Sequence, residues 1–596
     1  MAKEIKFSLV YRDMWQSSGK YQPRVDQLQQ IAPVIVDMGC FARVETNGGA
    51  FEQVNLLYGE NPNVAVRAFT KPLRNAGIQT HMLDRGLNGL RMNPVPADVR
   101  KMMYKVKHAQ GVDITRIFCG LNDARNIIPS IRYAKAGGMI PQASLCITYS
   151  AIHTVKYYVD LAVQLIKEGA QEICLKDMAG IGRPHSLGQI VKGIKEQYPQ
   201  IPVQYHGHTG PGFSVASMLE VAKHGADYLD VAIEPLSWGM VHPDVITIQA
   251  MLKDAGFSVP AINMDAYMEA RRLTQSFIDE FLGYFIDPGN KIMTSLLVGC
   301  GLPGGMMGSM MADLKGMHNA INLALRQHHK KEVAFNDLVV QLFREVEYVW
   351  PKLGYPPLVT PFSQYVKNIA LMNILSLAKD EPRFSMIDKD SWNMILGKMG
   401  RLPGPLAPEI TELARKNGME FYTGDPQDAF PDELDRFRAD MKAKDWDTGK
   451  DDEELFEYAM HERQYLDYRS GVAKERFDHD LEAAKEKANA PIVTKRPVIE
   501  MPKIEVEKIM ENHPKAQPVH APVRGQILWS YEPYGASVTP EEGAVVKEGD
   551  ALCFVQAYYG VEPVMSNFTG KIVTAHAKQG DMVEKGEIIA FVEAIL

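Results

Sequence analysis

The chain has 596 residues, of which 46% are apolar and 23% charged, and its net charge is −8. This is the composition of soluble globular protein with roughly two to four domains, and the acidic balance argues against nucleic acid or an anionic membrane as partner. The opening MAKEIKFSLVYRD lacks a long apolar region, and no apolar run reaches the roughly 18 residues of a membrane span, so neither a signal peptide nor a spanning segment is expected. The six cysteines, at 40, 119, 146, 174, 300 and 553, are scattered through mostly apolar segments. That usage predicts reduced, buried thiols in a cytoplasmic protein rather than a disulfide framework.

Short apolar runs alternate with amphipathic stretches along the first part of the chain. Strands are predicted at Ile5–Val10, Ala42–Glu45, Ile78–Leu83, Ile114–Phe118, Ala143–Thr148, Glu172–Leu175, Ile201–Tyr205 and Tyr228–Ala232, with helices such as Val155–Glu168 and Gly188–Gln197 between them. Such alternation argues a parallel sheet, and eight units in roughly 240 residues fit an α/β fold of the (β/α)8 TIM-barrel type. The predicted organisation is a barrel at 1–300, a mainly helical region at 301–487, a linker at 488–518 and a small all-β domain at 519–596. Within it, the Met- and Gly-rich Leu302–Met311 reads as a packed loop and helix start. The charged stretch Asp425–Glu486 reads as a solvated helical surface, and the Pro-, Lys- and Glu-rich 488–517 as a tether. Beyond it come β-runs at Gly525–Leu528, Gly543–Val546, Gly570–Val573 and Ile588–Val592.

Polar residues recur after the strands: Arg12-Asp13, Glu45-Thr46-Asn47, Asp84-Arg85, Asn122-Asp123, Lys176-Asp177, His206-Gly207-His208 and Glu234. Side chains at i and i+2 of a strand share a face, so His206 and His208 are close enough to grip one ion. With Asp13 they make a carboxylate and imidazole set suited to Zn, Mn or Co. An ammonium has no lone pair, so Lys176 joins them only if carbamylated; otherwise it pairs with Asp177. Arg85 faces the same mouth, where a guanidinium either holds a carboxylate bidentately or forms a rim ion pair with Asp84 or Glu45. Gln16 either donates to a substrate oxygen or caps a loop. A metal and an arginine without an obvious nucleophile point to enolate chemistry on a 2-oxo acid, which carboxylation, decarboxylation and aldol cleavage share.

These residues resemble the carboxyltransferase family of biotin-dependent enzymes, which includes the carboxyltransferase domain of pyruvate carboxylase, the oxaloacetate decarboxylase alpha subunit and the pyruvate-side subunit of transcarboxylase. The matching segments are Tyr11-Arg12-Asp13 with Gln16-Ser17, Glu45 with Gly48-Gly49-Ala50, Arg85-Gly86 with Asn88, Leu121-Asn122-Asp123, His153-Thr154-Val155, Leu175-Lys176-Asp177-Met178-Ala179 and His206-x-His208. Pro303-Gly304-Gly305 and Val359-Thr360-Pro361 match downstream, and the resemblance covers about Glu4–Asn417. It implies a metal held by Asp13, carbamylated Lys176, His206 and His208, and a pyruvate- or oxaloacetate-like substrate held by Arg85 and Gln16. Thr360 matches a threonine that shuttles a proton between pyruvate and biotin; its structural alternative is a helix N-cap before Pro361. A homodimer or larger homo-oligomer is also implied.

Ala521-Pro522-Val523-x-Gly525 and the Gly570, Gly580-Asp581, Gly586 spacing resemble the two halves of a biotinyl/lipoyl carrier domain. Where that family carries Glu-Ala-Met-Lys-Met, this chain has Gln556-Ala557-Tyr558-Tyr559-Gly560. Tyr559 falls on the lysine that receives biotin and has no amine to acylate, and Lys547 and Lys571 lie elsewhere in the pattern. Further departures from the family pattern are Trp15 for histidine, Cys119 for aspartate, Thr209 for aspartate and Gln364 for lysine. Three readings follow. One is a carboxyltransferase or decarboxylase served by a separate biotin carrier or carboxylase subunit. Another is a metal-dependent lyase or decarboxylase without biotin. The last is a non-catalytic scaffold or regulatory paralogue.

Overall fold

The computed structural model describes residues 2–300, 304–489, 503–529, 541–557 and 560–595. The chain divides into two units, Met1–Ala488 and Asn489–Leu596.

In the first unit, β1 (Lys6–Leu9), β2 (Phe41–Gly48), β3 (Gln79–Asp84), β4 (Ile114–Ile117), β5 (Ile140–Cys146), β6 (Glu172–Asp177), β7 (Val203–Gly207) and β8 (Tyr228–Val231) close a barrel in sequence order. The observed pairs are parallel, with β1 against β8 sealing the ring. Each predicted strand overlaps an observed one. β2, β6 and β7 run further than their apolar cores suggest, to Gly48, Asp177 and Gly207. The barrel therefore carries Glu45, Lys176 and His206 inside its strands, where their backbones pair with neighbouring strands and their side chains find polar partners.

Barrels of this kind usually fill with layers of branched apolar side chains. This one fills largely with paired polar groups. Arg43 of β2 reaches across the barrel to Glu172 of β6 at 2.6 and 2.8 Å, and to Gln204 of β7 at 2.7 Å. Gln142 of β5 donates to both Glu172 and Gln204 at 2.9 Å. One step nearer the C-terminal mouth, Arg116 of β4 donates to Asp230 of β8 at 2.5 Å and to Gln142 at 2.7 Å. An ion removed from water is tolerable when its partner and remaining hydrogen bonds are in place, and here each layer supplies them to the next.

Helices Gly304–Gln327, Phe335–Lys352 and Phe362–Ala378 follow the barrel. The side chains of Leu302–Met311, read as core-packed, lie outside the described residues. Asp425–Glu486 departs from the solvated surface expected of it. Leu455, Phe456, Glu457, Tyr458 and Met460 of helix Glu453–Met460 are buried. Its acidic residues belong to specific partners: Arg67 donates to Glu453 at 2.6 Å, and Lys107 of helix Ala97–Ala109 donates to Glu457 at 2.9 Å while standing 3.3 Å from Glu52. Cys40, Cys119, Cys146, Cys174 and Cys553 are free and buried. Among the described residues, no helix is long and apolar enough to cross a membrane.

The second unit forms two four-stranded sheets around Ile527, Trp529, Val546, Cys553, Val555, Ile572, Ile589 and Val592. The segment read as a tether includes helix Lys503–Asn512. Strands Ala551–Ala557 and Gly560–Met565 pair antiparallel, with Ala557 opposite Gly560. Tyr558 and Tyr559, on which the biotin argument turns, lie outside the described residues.

Lys107→Met leaves Glu52 and Glu457 buried without their cation, and the expected loss is about 3–5 kcal/mol in urea unfolding of the full chain. Glu457 is pushed up to about 7 by burial, reinforced by Glu52 against the pull of Lys107. The folded protein then keeps a proton that the unfolded chain sheds, so this group's contribution to stability falls as pH rises from 4.5 to about 7. Glu457→Gln should flatten that part of the stability–pH curve.

Candidate metal centre

His206 is held from behind. Its Nδ1 lies 2.7 Å from Asp230 Oδ2, with the Arg116 guanidinium 3.1 Å from the same nitrogen. Asp230 is the acceptor, so Nδ1 carries the hydrogen and Nε2 presents its lone pair to the mouth. His208 is fixed in the same sense, its Nδ1 donating to the Met240 carbonyl at 2.8 Å. Burial is the first cause holding His206 well below the usual imidazole range, and nearby Lys176, His242 and Arg116 add to it, so the ring is neutral.

Asp13 enters from the first turn of helix Tyr11–Ser18, directly beyond β1. Its Oδ2 stands 3.4 Å from His206 Nε2 and 3.2 Å from His208 Nε2. Burial alone would raise its carboxyl, but Arg12 and His208 outweigh that and hold it well below the usual carboxylate range. Arg12 is itself buried and donates to Glu45 of β2 at 2.9 Å.

The sequence reading missed His242. The polar group it expected after β8 was Glu234, but that carboxylate accepts from Arg271 at 2.9 Å on an exposed part of the molecule. His242 instead lies buried with its ring centroid 4.5 Å from that of His206 and 4.2 Å from that of His208. Its signal was a third histidine shortly after the last strand, with no alternating pattern around it to mark its direction.

One ligand atom from each of Asp13, His206, His208 and His242 lies within 4.8 Å of the others. Ligands at about 2.1 Å from one ion lie at most about 4.2 Å apart, so a small contraction would bring all four onto a common centre. Asp13 Oδ2 and both ring nitrogens of His242 are buried without a hydrogen-bond partner. Such groups cost stability unless something satisfies them. The donor set and its unsatisfied atoms fit a divalent ion.

Lys176 of β6 points into the same space, with Nζ 3.0 Å from His206 Nε2. Burial lowers its pKa. It does not pair with Asp177, which accepts instead from the backbone amides of Ile181 and Gly182 at 3.0 and 2.9 Å. Consecutive strand residues face opposite sides, which separates the two.

Arg85 is half-buried beyond β3 and forms no rim ion pair. Its guanidinium donates to the Leu90 carbonyl at 2.8 Å, while Asp84 is occupied by the Tyr104 hydroxyl at 2.6 Å. Burial, followed by the repulsion of Arg12, lowers Arg85 to about 10. Both guanidiniums border Gly49: a Cβ there would meet Arg12 Nη1 at 3.0 Å and Arg85 Nη2 at 3.5 Å. Glycine at φ +59° thus leaves room beside two cations. Gln16 accepts a hydrogen bond from Arg12 and is half-buried.

Thr360 does not cap the next helix. The helix begins at Phe362, and its N-cap position is Pro361, without a side-chain bond. Val359 packs with Leu83, Phe118 and Cys146, from the ends of β3, β4 and β5. Val359 therefore packs over the ends of β3, β4 and β5, and the Phe118 ring of the same cluster is 5.8 Å from Lys176 Nζ.

Three family models match the chain: a conserved carboxylase domain over 300–508, an HMGL-like domain over 122–259 and a biotin-requiring enzyme domain over 518–592. Over these segments the chain is similar to the carboxyltransferase family of biotin-dependent enzymes. It is 28% identical to a pyruvate carboxylase subunit of Methanocaldococcus jannaschii, covering 98% of this chain and 92% of that one. It is also 28% identical to the 2-oxoglutarate carboxylase large subunit of Hydrogenobacter thermophilus, over 98% and 89% of the two chains. The carboxyl transferase domain of Rhizobium etli pyruvate carboxylase, solved with pyruvate, shares the fold with a TM-score of 0.66 at 22% identity, over 80% of this chain and 78% of that one.

Two departures from the carboxyltransferase pattern have a physical reading. Cys119 is a buried thiol pushed up to about 11, chiefly by burial, so it brings no charge where the pattern has aspartate. Thr209 donates its hydroxyl to the Val241 carbonyl at 3.0 Å, which a carboxylate at that position cannot do.

Removing Asp230 alone should cost more than removing the pair it belongs to. Asp230→Leu strands Arg116 in the barrel, with an expected loss of about 3–5 kcal/mol. The double variant Arg116→Met/Asp230→Leu should recover much of that in a double-mutant cycle read by urea unfolding.

Proposed function

We propose that this chain is a metal-dependent carboxyltransferase or decarboxylase acting on a 2-oxo acid of the pyruvate or oxaloacetate type. In this reading it works in the cytoplasm as a homodimer or larger homo-oligomer. Biotin arrives on a separate carrier protein or carboxylase subunit. The observation that supports the reading is the cluster of Asp13, His206 and His208 at the barrel mouth, together with an Arg85 guanidinium beyond β3 that is bonded to a carbonyl and has no carboxylate partner among the described residues. Two relatives of equal identity are named for pyruvate and for 2-oxoglutarate, and the chemistry common to both is the 2-oxo acid.

Asp13, His206 and His208 would hold Zn, Mn or Co, with Lys176 as a further ligand once carbamylated. Such an ion supplies electrophilic pull on a keto oxygen. Arg85 pairs with the substrate carboxylate beside Arg12, and the Gln16 amide donates to a substrate oxygen. The hydroxyl of Thr360 relays one proton. In the decarboxylating direction biotin on its carrier would supply an acceptor for the carboxyl group lost from C3 and would give up one proton in exchange, and Thr360 would relay that proton to C3. Tyr559 at the attachment position supports biotin in trans, because a phenol cannot form the amide.

The test is oxaloacetate loss by the purified chain with and without a biotinylated carrier protein. A rate that rises with the carrier and disappears on chelation is expected, with Arg85→Gln lowering kcat/KM about 10²-fold, the loss of a charged hydrogen-bonded contact. A metal-dependent rate indifferent to biotin would replace this reading with a biotin-independent decarboxylase. Avidin-reactive biotin on the chain itself would overturn supply in trans.

A further inference from the structure

A cavity of about 430 Å³ lies between the segments that follow β5 and β6, a size ordinary for small-molecule sites. We propose that it binds the carboxylate or phosphate group of a small molecule with an apolar body, at a site of its own. Neither the cluster of Asp13, His206, His208 and His242 nor Arg85 lines it, so this site is independent of the metal-dependent reading above.

Among the described residues that line the cavity, Arg183 is the one charged side chain and none is acidic. Its guanidinium is held in place in the free protein. It lies over the ring of Tyr149 at 4.3 Å and that of Phe213 at 5.4 Å, and it donates to the Ile181 carbonyl at 2.6 Å. A guanidinium has five N–H donors, so most of them remain for a ligand, and no carboxylate among the described residues pairs with it. Arg183 also occupies the N-cap position of helix Pro184–Gln197, which has no side-chain cap. The first amides of a helix lack an intrahelical acceptor, and the helix dipole there favours an anion. Ser186, in that first turn, lines the same cavity.

His153 supplies an independent sign of a ligand. It lines the cavity with only 5% of its surface exposed, and its Nε2 is buried without a hydrogen-bond partner. The tautomer follows from its neighbour. Ser150 Oγ accepts from the amides of Ile152 and His153 at 3.1 and 3.3 Å, which uses both of its lone pairs. Its hydrogen is then left for His153 Nδ1 at 2.8 Å. Burial pushes the ring down to about 4, so it is neutral, and the proton it carries sits on Nε2. A buried donor without an acceptor costs stability, and a carboxylate or phosphate oxygen is an acceptor. Thr148 Oγ1, on the same wall, is also buried without a partner. Ile147, Val155, Leu187 and Ile190 complete the lining. They offer nothing to a bare ion and suit the apolar body of a larger one.

The experiment is calorimetric titration of the desalted full-length chain with sodium phosphate and, separately, with sodium 4-bromobenzoate, at about 0.15 M salt so that loose surface attraction is screened. Wild type should bind at least one of the two, and which one binds tells phosphate from apolar carboxylate. Arg183→Gln should weaken that binding about tenfold or more, as loss of a charged hydrogen bond does. Arg183→Lys, which keeps the charge without the planar fork, should fall between the two, and melting curves without either probe check that both variants fold. Crystals soaked in the bound probe should show it beside Arg183, the bromine of 4-bromobenzoate being located by its anomalous signal. Failure of wild type to bind either probe would overturn the proposal. So would undiminished affinity in both Arg183 variants, or a probe found only elsewhere on the molecule. None of these readouts needs a metal or turnover, so failure here leaves the proposed function standing.

Discussion

The ion pair between Arg116 and Asp230 is the constraint on which the mouth of this barrel depends. It joins β4 to β8 across the interior at 2.5 Å and binds the Nδ1 side of His206 in the same motion. A histidine can offer a lone pair in a chosen direction only if its other nitrogen is committed. Asp230 makes that commitment, and Arg116 keeps Asp230 ionised, holding its carboxyl below the usual range despite complete burial. The Arg43, Glu172, Gln142 and Gln204 layer then braces Arg116 from beneath. A barrel filled with branched apolar side chains would have been simpler to stabilise. Paired ions in register give instead a stack of groups with fixed directions, which ends in two imidazole nitrogens facing Asp13.

The helical region belongs to the same logic. Lys107, between Glu52 and Glu457, ties helix Glu453–Met460 to the outside of the barrel, and Glu52 also accepts from Asn47 at the end of β2 at 2.9 Å. Val359 closes the mouth from the other side over Leu83, Phe118 and Cys146. Segments hundreds of residues apart thereby press on the ends of the strands that carry the polar groups. The site is positioned by the whole first unit.

The barrel was legible in the sequence because its parallel strands are short, largely apolar runs between amphipathic helices, repeated eight times in order. The strand ends were less legible. Apolar content stops before Lys176 and His206, while backbone pairing continues through them. Of the mouth residues, Asp13, Lys176, His206 and His208 were marked by position after a strand or by i, i+2 spacing. His242 had no such mark, since a loop gives no periodicity from which to infer direction, and Glu234 looked equally eligible until Arg271 was seen to hold it. The acidic stretch around Glu453 was misread for a related reason. Charge runs are usually solvated, and nothing in the run itself showed that Arg67 and Lys107 would come to meet it.

The pairing of carboxylates and cations around the mouth leaves one cation without a carboxylate. Glu45 is bound by Arg12, Glu52 by Asn47 and Lys107, Asp84 by Tyr104 and the Gly86 amide, and Asp177 by the Ile181 and Gly182 amides. Cys119 and Thr209 add no carboxylate where the family pattern has aspartates. Arg85 is left with a carbonyl for a partner, beside the positive charge of Arg12, in surroundings that already penalise its charge. In the proposed function, a substrate carboxylate in that space would offset both the desolvation of Arg85 and its repulsion from Arg12. Asp13 Oδ2 presents the complementary case, an uncommitted anion among imidazoles. The ends of β3 and β1 thus carry a cation without a carboxylate and a carboxylate oxygen without a donor, and in the proposed function a 2-oxo acid bound with a divalent metal would answer both.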